Sequence, residues 1–389
     1  MSAWLGIVAL DWTMRFTWFH WQRTFVSSQV RPAYMGEATP LGVRVTETRR
    51  GGDLAALLGS DAETEEFAVE HPGGFTLYTD EFGLPNIPPT TGTQYQIALV
   101  GDSFLVQGNG TSNFLGGRLS RILKEPVYTI ARPGRGPALP LSTALIHPYF
   151  SEQPPELLIW AIPERDATGY ILTSAAYQTL RSIKSSESQA LERGARIAWG
   201  QLQPEKLGKS LPNTSIIAQF VRRAWTKARF SLGLSRVADV YISSDGVGGF
   251  PMLFYRVNIQ SLFWSPDARN VAAAQHAANL LQARVMEPRG IKWVIVLIPE
   301  KEQVYREYVP VSAYPRGEHW PPSVFDELEP ALANEGILVV NLLPVFRAAA
   351  ARGELIYWPD DTHWNEAGIQ LAAETIADAI QTHPTRDKN

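Results

Sequence analysis

Five short, uninterrupted apolar runs constrain this chain more than any other feature: "QIALV" (96–100), "VYTIA" (127–131), "ELLIWAI" (156–162), "KWVIVLIP" (292–299) and "ILVVN" (337–341). A strand wetted on one face alternates apolar with polar residues, whereas a run that is apolar at nearly every position suits a strand covered on both faces, as in a parallel sheet. Helical periodicity lies between the runs: in Phe114, Leu115, Leu119, Ile122 and Leu123, in "ALPLSTALI", in an alanine-rich stretch over about 269–287, in "SVFDELEPALAN" and in the closing "NEAGIQLAAETIADAI". Strand and helix in alternation predict an α/β fold around a central parallel sheet.

Two stretches break the rhythm. Residues 1–93 read as a leader: an apolar, tryptophan-rich start, "MSAWLGIVALDWTMRFTWFHWQRTF", followed by irregular Gly-, Pro- and Thr-rich sequence with a strand or two among short apolar pieces such as "GFTLYTDEFGLPN". Asp11, Arg15 and His20 interrupt that start, so it falls short of the roughly 20 apolar residues a spanning helix needs. It reads either as a membrane-proximal interfacial helix or as a helix packed on its own domain. Residues 171–255 are polar and mixed in sign, and read as an insertion or cap within a catalytic domain spanning 94–389. With 35 basic and 39 acidic residues and no dense basic block, the chain lacks the electrostatic footprint of a nucleic-acid binder. The absence of cysteine excludes disulfides and thiolate chemistry and leaves the compartment open.

The chemistry gathers at the ends of the predicted strands. The first run leads into "GDSF", which places Ser103 just past a buried strand, at the sheet edge where open α/β folds bind ligands. A serine hydroxyl needs a neighbouring base, itself oriented by a carboxylate, to act as a nucleophile. Of the seven histidines, His363 in "YWPDDTHWNEAG" is the strongest candidate, because it lies between the last strand region and the last helix with Asp361 two residues before it. His319 in "GEHWPP" mimics that setting but sits in a Pro-rich surface loop. The bland alternatives are that Asp102 and Ser103 cap the following helix, and that Asp361 and Thr362 form a turn before an N-cap at Asn365. Asp360 reads as a solvated neighbour. Trp364 reads either as a core aromatic or as a platform for a sugar ring. No P-loop, dinucleotide fingerprint or metal-binding helix is present, so no cofactor or metal is expected.

"GDSF" with a later Asp-x-His resembles the SGNH (GDSL-type) hydrolase superfamily. The fuller "YWPDDTHWNEAG", with "IWAIPER" and "VLIPEKEQVY", is similar to its alginate O-acetyltransferase (AlgX/AlgJ-type) branch, although there the Asp-x-His element precedes the serine motif. The resemblance implies a three-layer α/β/α fold and a triad of Ser103 as nucleophile, His363 as base and Asp361 as orienting acid. It also implies an oxyanion hole built from the Ser103 backbone N–H, Gly134 or Gly136 in "RPGRGP", and a third donor. The expected asparagine block is missing; Arg165 in "IPERD" stands there, as donor, anion clamp or loop brace, and Gln107 and Asn109 are further candidates for contact with substrate. The implied activity is acetylation of a bacterial exopolysaccharide through an acyl-serine. Its implied setting is periplasmic or extracytoplasmic, with a membrane-bound O-acyltransferase partner supplying acetyl. Two rivals stand beside it: an esterase that passes the acyl group to water, and a carbohydrate-binding protein that keeps the fold without turnover.

Overall fold

The computed structural model describes residues 43–45, 49–58, 67–78, 80, 82, 84–87, 94–134, 136–151, 153–189, 240–263, 270–315 and 319–383. The N-terminal apolar segment lies outside these residues, as do residues 190–239 of the expected insertion. Among the described residues no helix is long and apolar enough to cross a membrane.

All five apolar runs are strands of one parallel sheet: β1 (Ile97–Gly101), β2 (Val127–Ala131), β3 (Leu157–Pro163), β4 (Lys292–Ile298) and β5 (Leu338–Asn341), in the order β5-β4-β3-β1-β2. Every residue of β1, β2 and β3 is buried, which is why their sequences show no alternation. Among the described residues the α-helices of eight residues or more are α1 (Leu115–Leu123), α2 (Ala138–Leu145), α3 (Gly169–Gln189), α4 (Val271–Leu281), α5 (Phe325–Ala333), α6 (Leu343–Ala351) and α7 (Glu366–Thr382). α1 packs with α7, while α2, α3 and α4 pack side by side, with α5 against α4 and β5. Two helical groups on one parallel sheet make the three-layer α/β/α arrangement. The chain leaves β1 first toward β2 and then crosses back to β3, so the winding reverses at β1, the position at which such sheets open a crevice beyond their carboxyl ends.

α3 lies at the start of the expected insertion and packs into the helical layer. Leu172, Ala175, Ala176 and Ile183 are buried, and the helix lies against α2 and α4 as part of the sandwich. α1 approaches β2 so closely that a Cβ on Gly116 would stand 2.0 Å from the Thr129 hydroxyl. The outer edge of β2 is closed by the leader: Thr129 N–H donates to Asn86 Oδ1 (2.7 Å), and Asn86 Nδ2 donates back to Thr129 O (3.0 Å). Asp80 anchors that patch, accepting from Asn86 Nδ2 (2.9 Å) and from the Tyr128 hydroxyl (2.6 Å), and so removes an open edge of the kind that pairs with other chains.

A second, smaller core joins the leader to the end of the insertion. Leu54, Ala55 and Leu58 of the helix Asp53–Leu58 pack with Val240 and Leu253 of the hairpin Val240–Ser243/Met252–Tyr255. This unit borders the turn at residues 358–361: Leu253 N–H donates to Pro359 O (2.8 Å), and the Leu54 and Ala55 N–H groups both donate to Asp360 O (3.1 Å each).

Candidate active site

The sheet edge at β1 is shaped by two residues. Gly101 ends the strand where a Cβ would meet the Leu105 side chain at 3.0 Å and Ala161 O at 3.1 Å. Asp102 then accepts from the Phe104 N–H (3.0 Å) and caps the short 3₁₀ turn Ser103–Val106. The capping alternative therefore holds for Asp102, and it is this cap that presents Ser103 at the head of the turn.

His363 reaches the same point from the other end of the chain. Its Nε2 lies 2.7 Å from Ser103 Oγ, and its Nδ1 lies 2.8 Å from Asp361 Oδ1. The imidazole is buried and stands 4.8 Å, centroid to centroid, from the Phe104 ring, so water is kept from much of its surface. The structure thus brings together Ser103, His363 and Asp361, 260 residues apart in sequence at the extremes. Asn365 is an N-cap as well, accepting from the Ala367 (2.9 Å) and Gly368 (3.1 Å) N–H groups and starting α7 right after the histidine turn.

The turn that carries Asp361 is braced from beneath. Lys301, just past β4 and completely buried, donates from Nζ to Leu253 O (2.7 Å), Pro359 O (2.7 Å), Trp358 O (2.8 Å) and Asp361 O (3.2 Å). Burial pulls its ammonium below the ordinary lysine range, against the opposing pull of Glu302, Asp360, Asp361 and Asp53. Asp360, expected in solvent, is 0 % exposed and is a hub instead: it accepts from Gly52 N–H (2.7 Å) and Val69 N–H (3.0 Å) and lies 3.1 Å from His71 Nε2. The leader also supplies Asp53, whose carboxylate accepts from Thr362 N–H (2.7 Å) and Thr362 Oγ1 (2.6 Å). These backbone and long-range contacts have no sequence signature, and sequence reasoning missed Asp53, Thr362 and Lys301.

Arg165, at the end of β3, spans two carboxylates: Nη2 to Asp102 Oδ2 (2.9 Å) and Nη1 to Glu300 Oε1 (2.7 Å). Burial opposes its charge, but Glu300, Asp102 and Asp166 outweigh that and hold the guanidinium above its ordinary range. It is a brace between the strand ends beside Ser103, with its two terminal nitrogens committed. Its neighbour Glu164 takes no part in this brace; it accepts from the Ser323 hydroxyl (2.6 Å) and is pushed up to about 7, chiefly by burial.

The remaining candidates separate. Gly134 and Gly136 take positive φ (68° and 65°) in the loop after β2, which begins beside Gly101 through the Arg132 N–H to Gly101 O bond (3.0 Å). They stand at the same sheet edge as Ser103, with open space where a side chain would be. Gln107 turns inward and donates from Nε2 to Ser103 O (2.6 Å), so it supports the nucleophile's backbone and is not turned to substrate. Asn109 is half-buried, its N–H bonded to Glu366 and its carbonyl to Asn113. Of the two readings of Trp364 the structure has the core one: it is 0 % exposed, donates from Nε1 to Phe104 O (2.9 Å) and packs edge-on against the Phe104 ring. His319 is exposed and takes no part.

Asp53, Asp361 and His363 each bring one atom suited to a metal ion within 4.8 Å of the others. In the structure those atoms are engaged with one another, with Thr362 and with backbone N–H groups. The arrangement fits proton transfer between Ser103 and His363, with carboxylates behind the imidazole to stabilise its charged form.

A family model for the SGNH hydrolase-like domain of the acetyltransferase AlgX matches residues 30–164 and 253–389. The probable alginate O-acetylase AlgJ of Azotobacter vinelandii is 40% identical over 131 residues, which cover 32% of this chain and 33% of that protein. The probable alginate O-acetylase AlgJ of Pseudomonas syringae pv. tomato is 28% identical over 118 residues, 29% of this chain and 27% of that one. The chain thus aligns with about a third or less of the length of these relatives. Since the two blocks of the family model make up most of the chain, and one carries Asp53 and Ser103 while the other carries Lys301, Asp361 and His363, this chain belongs to the family of AlgX-type SGNH hydrolase-like acetyltransferase domains.

Proposed function

We propose that the protein is a serine-dependent O-acetyltransferase acting on hydroxyl groups of a bacterial exopolysaccharide through an acetyl-serine intermediate. The observation that carries the reading is the relay of Ser103 Oγ to His363 Nε2 at 2.7 Å and His363 Nδ1 to Asp361 at 2.8 Å. In the first half-reaction His363 Nε2 takes the Ser103 proton as Oγ bonds to the donor's acetyl carbon. The oxyanion forms near the Ser103 N–H, and the loop holding Gly134 and Gly136 supplies the further backbone donor. Collapse breaks the bond to the leaving group, which receives the proton from His363. In the second half-reaction a sugar hydroxyl gives its proton to His363 and attacks the acetyl-serine, and Ser103 leaves with that proton. Asp361 stays ionised and stabilises the imidazolium in both halves.

The names of the relatives support a polysaccharide acceptor, and on this reading a membrane-bound acyltransferase delivers the acetyl group on the extracytoplasmic side. The test is incubation with a chromogenic acetyl ester while release and intact mass are followed. Parent protein is expected to release chromophore and carry a +42 Da adduct, the mass of one acetyl replacing hydrogen, on Ser103; Ser103→Ala is expected to do neither. Ester turnover that survives Ser103→Ala sinks the proposal. Adding oligosaccharide then separates transfer from hydrolysis by whether acetyl appears on sugar or as acetate.

A further inference from the structure

We propose that Asp53, delivered by the leader segment, is a positioning residue that sets the tautomer of His363 through the Thr362 hydroxyl. The inference rests on the triad reading and extends it to a second carboxylate from a distant part of the chain. Thr362 Oγ1 lies 2.6 Å from Asp53 Oδ2 and 2.8 Å from His363 Nδ1. A hydroxyl carries one proton. An ionised carboxylate only accepts, so that proton goes to Asp53 and the hydroxyl turns its lone pairs to Nδ1. Asp361 Oδ1, at 2.8 Å, is likewise an acceptor. With both of these oxygens accepting, Nδ1 carries the hydrogen, which leaves Nε2 bare to take the proton of Ser103 at 2.7 Å. Asp53 Oδ2 itself stands 3.5 Å from Nδ1, close enough to favour the imidazolium directly.

Among the described residues, the charged groups nearest this point are engaged elsewhere. Lys301 is engaged with the carbonyls of the 358–361 turn, and Asp360 with Gly52, Val69 and His71. Asp361 Oδ2 accepts from the Asp53 N–H (3.0 Å), so the two aspartates are registered to each other through the backbone. Asp53 therefore sits where a change of one atom alters the hydrogen-bond polarity at Nδ1.

Asp53→Asn makes that change with little loss of shape. The new side chain keeps its oxygen on the Thr362 N–H and turns its NH₂ to the Thr362 hydroxyl, which then aims its proton at Nδ1. Replacing a sole orienting carboxylate in this way costs about 10⁴-fold in a serine triad; with Asp361 retained, the expected loss is about 30-fold in kcat, with KM and melting temperature close to parental. In a Thr362→Val background, which has no hydroxyl to reverse, Asp53→Asn is expected to cost less than about threefold more, a coupling read from the double-mutant cycle.

Ring-nitrogen NMR of ¹⁵N-labelled protein reads the tautomer without turnover: His363 should be Nδ1-protonated in the parent and shift toward Nε2-protonated in Asp53→Asn. Parental kcat in Asp53→Asn, an equal loss in both backgrounds, or a ring that stays Nδ1-protonated each overturns the proposal. Failure of the triad reading shows separately, as Ser103→Ala turning over like the parent.

Discussion

Among single residues, Trp364 shows how a polar neighbourhood in sequence conceals a buried side chain. Its neighbours Asp360, Asp361, Thr362 and His363 read as a wet loop, yet all are buried, because each has a designated partner in the leader, in Lys301 or at Ser103. The indole fills the space between Phe104 and Phe346 and bonds to Phe104 O, so it fixes the spacing between the serine turn and the histidine turn. Trp364→Phe keeps most of the apolar volume and removes one buried hydrogen bond, which should destabilise the protein by about 1–3 kcal/mol by leaving the Phe104 carbonyl unpaired. Urea unfolding measures that cost, and acceptor KM should not change. A large rise in KM at unchanged stability would return Trp364 to the role of sugar contact. That Ser103, His363 and Asp361 meet in space was legible from residue type and strand-edge placement. The buried charges around them were not, because Lys and Glu after a strand usually signal surface, and only the folded chain shows Lys301 and Glu302 at 0 % exposure.

Between elements, the dependence of the site on the leader turns on one glycine. A Cβ on Gly52 would meet Asp360 O and the Asp361 Cβ, both at 2.5 Å, so nothing larger than hydrogen lets the backbone at 52–53 reach the carboxylates of the turn. Gly52→Ala should lift the helix Asp53–Leu58 off the turn while the five-stranded sheet persists. The Leu54 and Ala55 amides, which donate to Asp360 O, should lose hydrogen-exchange protection, and kcat should fall at least about tenfold, a loss of some 1.4 kcal/mol in transition-state stabilisation. Parental exchange and kcat in the variant would mean that the leader is not coupled to the site. The same elements mark the limit of sequence reading here. Strands buried on both faces announce themselves by unbroken hydrophobicity, and all five were legible. The leader's two- and three-residue strands Val43–Val45, Arg49–Arg50, Glu70–His71 and Phe75–Leu77 carry no period long enough to read, and their role follows from backbone N–H groups aimed at side chains about 300 positions away, such as Gly52 to Asp360 (a separation of 308). α3 reads as part of a polar stretch because its Ser-rich sequence outweighs a narrow buried stripe of Leu172, Ala175, Ala176, Thr179 and Ile183.

For the molecule as a whole, the ends of β1, β3 and β4 are joined by charge in a layer that water hardly reaches, and this has a consequence for stability against pH. Arg165 ties Asp102 to Glu300, Asn258 Nδ2 donates to Glu300 (2.8 Å) and to Glu302 (3.3 Å), and Glu164 accepts from Ser323 and from the Glu300 N–H (3.3 Å). Among the described residues Glu164 has no cation within hydrogen-bond reach, and burial raises it from 4.5 to about 7. The folded protein therefore holds a proton there that the unfolded chain releases near 4.5. Between those values the native state binds more protons than the unfolded one, so stability falls as pH rises through the window, by about 3 kcal/mol over its full width. Burial also raises Glu302, and it raises Asp166 to about 6, so both contribute in the same direction. Glu164→Gln is neutral at every pH: it should lose some stability at pH 5, where its amide replaces an acceptor of the Glu300 N–H, and recover relative to the parent as pH approaches 8. Melting curves of parent and variant from pH 5 to 8 should converge or cross, the variant keeping a shallower slope from Glu302 and Asp166. Parallel curves would show that Glu164 is ionised in the folded state throughout, and that the negative charge beneath the serine turn is one greater than burial alone allows.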